Sequence, residues 1–180
     1  MVPNRKKAQV WIETVIYTLI AFSLIAAVLA FAKPKIDEMQ DKAVIEQSIG
    51  LVKAIDSLVR EVVQGGAGNK RGIDVTIKDG MLRIDGEKDE IIFEIDSSYV
   101  YSEIGKDIPD GNLIIRTEKK GNANLVTLSR DYTADGYDIK FNGKDELKTL
   151  SKASTSYKLF ITNNGKDDTT GKWNINIELS

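Results

Sequence analysis

In the stretch KKAQVWIETVIYTLIAF, residues 6–22, a single carboxylate stands where an apolar run begins. Glu13 follows Val10, Trp11 and Ile12 and precedes Val15 to Ala32, which carry no charge. Arg5, Lys6 and Lys7 lie just upstream with no acidic residue among them. A carboxylate at the edge of a lipid-embedded span costs less than one at its centre, where about 2.5–3.5 kcal/mol is lost. An anchor with no further duty would avoid even that smaller cost. The chemistry open to Glu13 is electrostatic: in a low-dielectric setting it attracts a cation strongly, and an unpaired partner there is expensive.

Other chemistries are excluded by residue type. The chain has no histidine and no cysteine. Ser-His-Asp, Cys-His and His-zinc centres are therefore impossible within it, and so are disulfides. Catalysis by carboxylates or lysine stays open, with no sign of two acids converging, so an enzyme is not expected. With 42% hydrophobic and 29% charged residues and a net charge of −2, the 180 residues suit a folded domain plus an appendage. That balance excludes a disordered chain and a general nucleic-acid binder. Asp131, Thr133 and Asp135 before Gly136 vaguely match the start of a calcium loop, but its twelfth slot is Asn142 instead of Glu. An acidic turn is the expectation there, with no metal and no cofactor. TNNGKDDTTG, residues 162–171, reads as a polar surface loop between the last two strands. No Asn-x-Ser/Thr sequon occurs.

Positioning Glu13 falls to the apolar run. As a helix, Val15–Ala32 spans roughly 27 Å, close to the hydrocarbon thickness of a bilayer. Three plain roles compete: a secretory signal with an A-x-A-like site at Ala30–Ala32, a buried core helix, and a single-pass anchor. The upstream cations orient an anchor with its N-terminus in the cytoplasm and its C-terminal bulk outside.

The helical period continues past Pro34. Ile36, Met39, Ala43, Ile45, Ile49, Val52, Ile55, Leu58, Val59 and Val62 recur at three- and four-residue steps, interleaved with charges. Pro34 removes one backbone donor and is expected to kink the rod or loosen a turn. QGGAGN, residues 64–69, ends the helix. Beyond residue 72 the period becomes two, with nine or so short strands bounded by Asp-Gly, Asn-Gly and Gly-rich turns. Residues 36–64 are expected to pack in large part on this β domain. The strands include SYVYS at 98–102, while 143–156 carries a weaker strand signal. Lys78–Met81 and Lys119–Asn122 both read as hairpin turns. Trp173, Tyr99, Tyr101, Phe93 and Phe160 are expected in strands, in the core or on a sheet face. The expected class is α+β: a long N-terminal membrane or stalk helix, then an antiparallel β-sandwich-like head.

The N-terminal pattern resembles the signal of type IV pilin-like proteins, in particular the archaeal class III signal peptide. That pattern is a short basic leader ending in a small residue, then Gln, then Glu at the fifth mature position, then an apolar helix. Here the small residue is Ala8, where the pattern often has Gly, and Trp11 stands where the archaeal form often has Ser. The resemblance covers about 25 residues. It implies a leader over residues 1–8 recognised through Arg5, Lys6 and Lys7, and cleavage between Ala8 and Gln9 by a prepilin peptidase. A stalk helix over 9–64, a linker over 65–72 and a head over 73–180 complete the expected organisation. The freed ammonium of Gln9 on one subunit would be neutralised by Glu13 of a neighbour within a bundle of parallel helices.

The resemblance implies a membrane-stored precursor that ends in a surface filament. Its partners would be other copies of the chain, the peptidase, an assembly ATPase and a membrane platform protein. The competing expectation is a monomeric, membrane-anchored β-domain that binds a ligand outside the cell. In that case the leader stays and Glu13 is replaceable.

Overall fold

The computed structural model describes residues 5–180, with side chains from Val10 onward. The chain divides into two units, Met1–Gln40 and Asp41–Ser180. One helix, α1 (Arg5–Gln64), runs without interruption through Pro34. Expectations placed on Arg5, Lys6, Lys7, Ala8 and Gln9 lie outside the residues whose side chains are described, as does the leader they define.

In the first unit the described helical residues are almost all exposed. Apolar side chains cover every face of the cylinder: Trp11 is 70% exposed, Phe22 64% and Phe31 82%. Hydroxyls within this segment turn back on the helix itself. Thr14, Thr18 and Ser23 donate to the carbonyls of Val10, Thr14 and Leu19 at 2.8–2.9 Å. A helix that satisfies its own polar groups is what a bilayer interior requires.

In the second unit the remainder of α1 changes character. Ile45, Ile49, Val52, Ile55, Val59 and Val62 are buried, at three- and four-residue steps. Burying each contributes about 1.5–3 kcal/mol. This stretch is therefore part of the β domain's core, as its period predicts. Ten strands come after it: β1 (Lys70–Val75), β2 (Met81–Asp85), β3 (Glu90–Ser97), β4 (Asp107–Asp110), β5 (Leu113–Lys120), β6 (Ala123–Asp131), β7 (Tyr137–Phe141), β8 (Leu147–Ser151), β9 (Tyr157–Lys166) and β10 (Trp173–Leu179). They form a six-stranded sheet, β4-β5-β6-β3-β2-β8, and a four-stranded sheet, β1-β9-β10-β7. Every strand pairing is antiparallel except β7 with β10. Inward-facing residues of both sheets, among them Phe93, Val126 and Leu128 from one and Ile139, Ile161 and Ile177 from the other, share one core with α1.

Three expectations change. Asp79-Gly80 does turn the chain, with Gly80 at φ +83° and its N–H donating to Asp79 at 2.9 Å. The strands it joins are not a hairpin, however: β1 pairs with β9, and β2 with β3 and β8. A Cβ on Gly80 would collide with the Glu94 carbonyl of β3, so the glycine lets the chain enter β2 close against its neighbour in the same sheet. Residues 98–102 form no strand. The Asp41 carboxylate accepts from the Ser98 N–H and hydroxyl at 2.6 Å, and Ser97 Oγ accepts from the Tyr99 N–H at 2.9 Å. Side chains thus take the bonds that a sheet neighbour would make. The loop expected over 162–171 is shorter, because β9 continues to Lys166. Lys119–Asn122, in contrast, does join the paired strands β5 and β6. Of the aromatics expected in strands, Phe93, Phe160 and Trp173 are there, and Tyr99 and Tyr101 are not.

Two clamps close this unit. Asn163 of β9 donates its amide to the Val62 carbonyl at 3.1 Å, supplying a partner at the end of α1. Asp89, just before β3, buried and at φ +56°, ties the two sheets together. Its carboxylate accepts from the Ile139 N–H at 2.8 Å and from Lys172 Nζ at 2.7 Å.

Candidate functional site

From Val10 to Ala32, Glu13 is the only charged residue. Its helix delivers it to an exposed position one turn beyond the expected cleavage junction. Around it every large apolar side chain from Val10 to Leu29 is open to the surroundings. The described helix is long and apolar enough to cross a membrane, with none of its most apolar window buried. The site is thus an exposed carboxylate on an apolar helical surface, and an anion attracts a cation most strongly where water is scarce. Lys35, beyond the apolar run, is held by Glu38 at 2.7 Å within the same helix.

In the β unit, the acidic turn resolves into local hydrogen bonding. Thr133–Asp135 forms a single 3₁₀ turn, with Asp131 accepting from the Thr133 N–H at 2.8 Å and from its hydroxyl. Asp135 accepts from Arg130. Among the described residues no group of three or more acidic side chains could hold a metal ion. Near the other tip, Asp167 accepts from the N–H groups of Thr170 and Thr169, which hold its carboxyl below the usual range.

A buried charged network has no counterpart among the expected sites. Asp56 of α1 accepts from Arg130 Nε of β6 at 2.6 Å, and Arg60 reaches the same carboxylate at 3.0 Å. Burial works against the Arg130 charge, yet hydrogen bonds to Asp56 and Asp135 hold its pKa above the ordinary value. Its guanidinium also lies 4.3 Å over the ring of Tyr132, which is fully buried. Burial pushes the Tyr132 phenol up, and its hydroxyl has no hydrogen-bond partner. The signal for this network was parity. Asp56 falls on the apolar face between Val52 and Val59, and Arg130 continues the inward alternation Asn124, Val126, Leu128. The network joins helix to sheet, and its residues are consumed by one another.

No protein-family model, curated protein or solved structure matches this chain.

Proposed function

We propose that this chain is a structural subunit of a type IV pilus-like surface filament, cut between Ala8 and Gln9 and polymerised through the apolar half of α1. One observation carries the reading: Glu13 is the single charged residue of an apolar helical segment exposed on every face. So large an apolar surface needs cover, and burying each large side chain is worth about 1.5–3 kcal/mol. Lipid covers it in the precursor, and neighbouring helices cover it in the polymer. In the second surrounding a neighbour's new terminal ammonium needs an anion, and Glu13 is the acidic side chain within reach of that position along the helix. The basic leader and the Ala8-Gln9 junction resemble the processing signal that would expose this amine. Peptidase, assembly ATPase, platform protein and further copies of the chain are the partners this reading requires.

The test is the N-terminus of protein recovered from cell surfaces, read by sequencing or intact mass, together with Glu13→Gln. The expected start is Gln9. The variant should be processed and held in the membrane, but electron micrographs should show no fibres. A start at Met1, with Glu13→Gln behaving as wild type, would overturn the proposal in favour of a tethered binding monomer. That second reading draws on an open groove of about 320 Å³ on the outer face of the six-stranded sheet, bordered by Met81, Arg83, Glu94, Lys120 and Leu125. A start near Lys33 would indicate ordinary secretion.

A further inference from the structure

The chain contains two Asn-Gly steps, Asn142-Gly143 and Asn164-Gly165. In such a pair the glycine nitrogen, with no side chain to shield it, can lose its proton and attack the preceding side-chain Cγ. Ammonia leaves, a cyclic succinimide forms, and water opens it to aspartate or isoaspartate. Asparagine is thermolabile on this account. Both asparagines are exposed to the water that completes the reaction. Isoaspartate would insert an extra carbon into the main chain at a turn and within a strand.

Both steps sit where the regular backbone bonding leaves the glycine amide over. Phe141 and Lys144 exchange backbone hydrogen bonds at 2.9 and 3.0 Å, closing a two-residue turn with Asn142 at φ +49° and Gly143 at φ +76°. That exchange does not use the Gly143 N–H. At the second step the pairing of β9 with β10 slips between Trp173 and Ile175, opposite Asn164-Gly165.

In each case a buried asparagine takes up the remaining amide. Asn176 Oδ1, on β10, accepts from the Gly143 N–H at 2.7 Å. Asn163 Oδ1, on β9, accepts from the Gly165 N–H at 2.8 Å. Neither side chain is free to turn over. Asn176 Nδ2 donates to Glu178 Oε1 at 2.8 Å, and Asn163 Nδ2 donates to the Val62 carbonyl at 3.1 Å. An amide whose NH2 is committed on one side presents its oxygen on the other. Asn163 is 0% exposed and Asn176 7%, so water competes poorly for either oxygen.

We propose that Asn176 and Asn163 guard the two Asn-Gly steps against deamidation, each holding the glycine proton that must leave before the succinimide closes. Removing that proton would set a negative nitrogen against an amide oxygen in a partly buried site. Swinging the nitrogen toward Cγ would break the hydrogen bond and strand its acceptor. The same device thus stands at both steps, built from different strands. It acts within the β domain, so it applies to a filament subunit and to a tethered monomer alike.

The test is a peptide map of the full-length chain in mild detergent, aged warm at mildly alkaline pH. Mass spectrometry then quantifies deamidation at Asn142 and Asn164 separately. Asn176→Ala is expected to speed the loss at Asn142 roughly fivefold while Asn164 keeps its wild-type rate. Asn163→Ala is expected to do the converse, by a similar factor. Folded wild type should lose both amides roughly tenfold more slowly than the same chain in urea. Each variant carries its own control, because unfolding speeds both steps together. A rate at Asn142 unmoved by Asn176→Ala, or at Asn164 by Asn163→Ala, overturns the guard and leaves turn geometry as the protection. A rise at both steps together in either variant overturns it too, since the loss is then one of fold. So does a folded wild type as labile as the chain in urea.

Discussion

Replacing Asp56 with alanine strands a guanidinium inside the β domain. The side chains of Asp56 and Arg130 are 3% and 6% exposed, with 2.6 Å between Oδ1 and Nε. Removing one partner of a buried pair costs about 3–5 kcal/mol, because the surviving charge has no water to turn to. Arg130 would keep Asp135 and the Asp131 carbonyl, so the lower end, about 3 kcal/mol, is expected. That is roughly two decades in the folded-to-unfolded ratio. Asp56→Leu combined with Arg130→Met removes both charges and keeps the volume filled. This double variant should lie within about 1 kcal/mol of wild type, on either side. The assay is urea unfolding of the full-length chain in mild detergent, read by Trp173 fluorescence in a Trp11→Phe background. The double-mutant cycle then measures the coupling. If the two single losses simply add in the double variant, the charges are not acting as a pair and the reasoning fails.

The β domain yields two further outcomes. Asp89→Ala removes two hydrogen bonds that join the sheets and places a Cβ residue at positive φ without a polar side chain. It should cost about 2–4 kcal/mol in thermal unfolding, with Asp89→Asn between it and wild type. Glu90 gives a pH signature. Burial raises its pKa above the ordinary 4.5, with Asp85 and Asp131 adding to the rise and Lys88 opposing it. The folded state therefore holds the Glu90 proton more tightly than the unfolded one. Its contribution is fully present below the unfolded value and is lost as pH rises through the folded one. Glu90→Gln should abolish that decline, so its melting temperature should gain on wild type as pH climbs from about 4 to neutrality. A constant difference across that range would contradict the assignment.

Much of the layout was legible because its signals are local. Eighteen uncharged residues make an apolar cylinder wherever they are placed, and Ile45 to Val62 repeat at the period of a helix with one buried face. Strand alternation marked most of β1 to β10, and Gly-containing turns marked their ends. Failures came where side chains far apart in sequence compete for the backbone. Nothing in SYVYS announces that Asp41 will take its amide, and that contact spans 57 positions. Asp79-Gly80 has hairpin chemistry, yet which strands pair is settled by the whole sheet. The charged pair was half visible as two residues of the wrong polarity on buried faces.

The amino-acid order by itself determined that an apolar helix precedes a β domain, that no histidine or thiol chemistry is possible, and that one carboxylate interrupts the greasy segment. These are properties of composition and period, and no distant contact can alter them. Only the tertiary structure decided that the latter part of α1 is a core element of the β domain, that β7 runs parallel to β10, and that Asp56 finds Arg130. It also decided that Gly50 lies on an exposed face of α1. The physical reason is common to all four. Burial and hydrogen bonding are satisfied jointly over the whole core, so partners separated by tens of residues are chosen by packing and not by their neighbours in the chain.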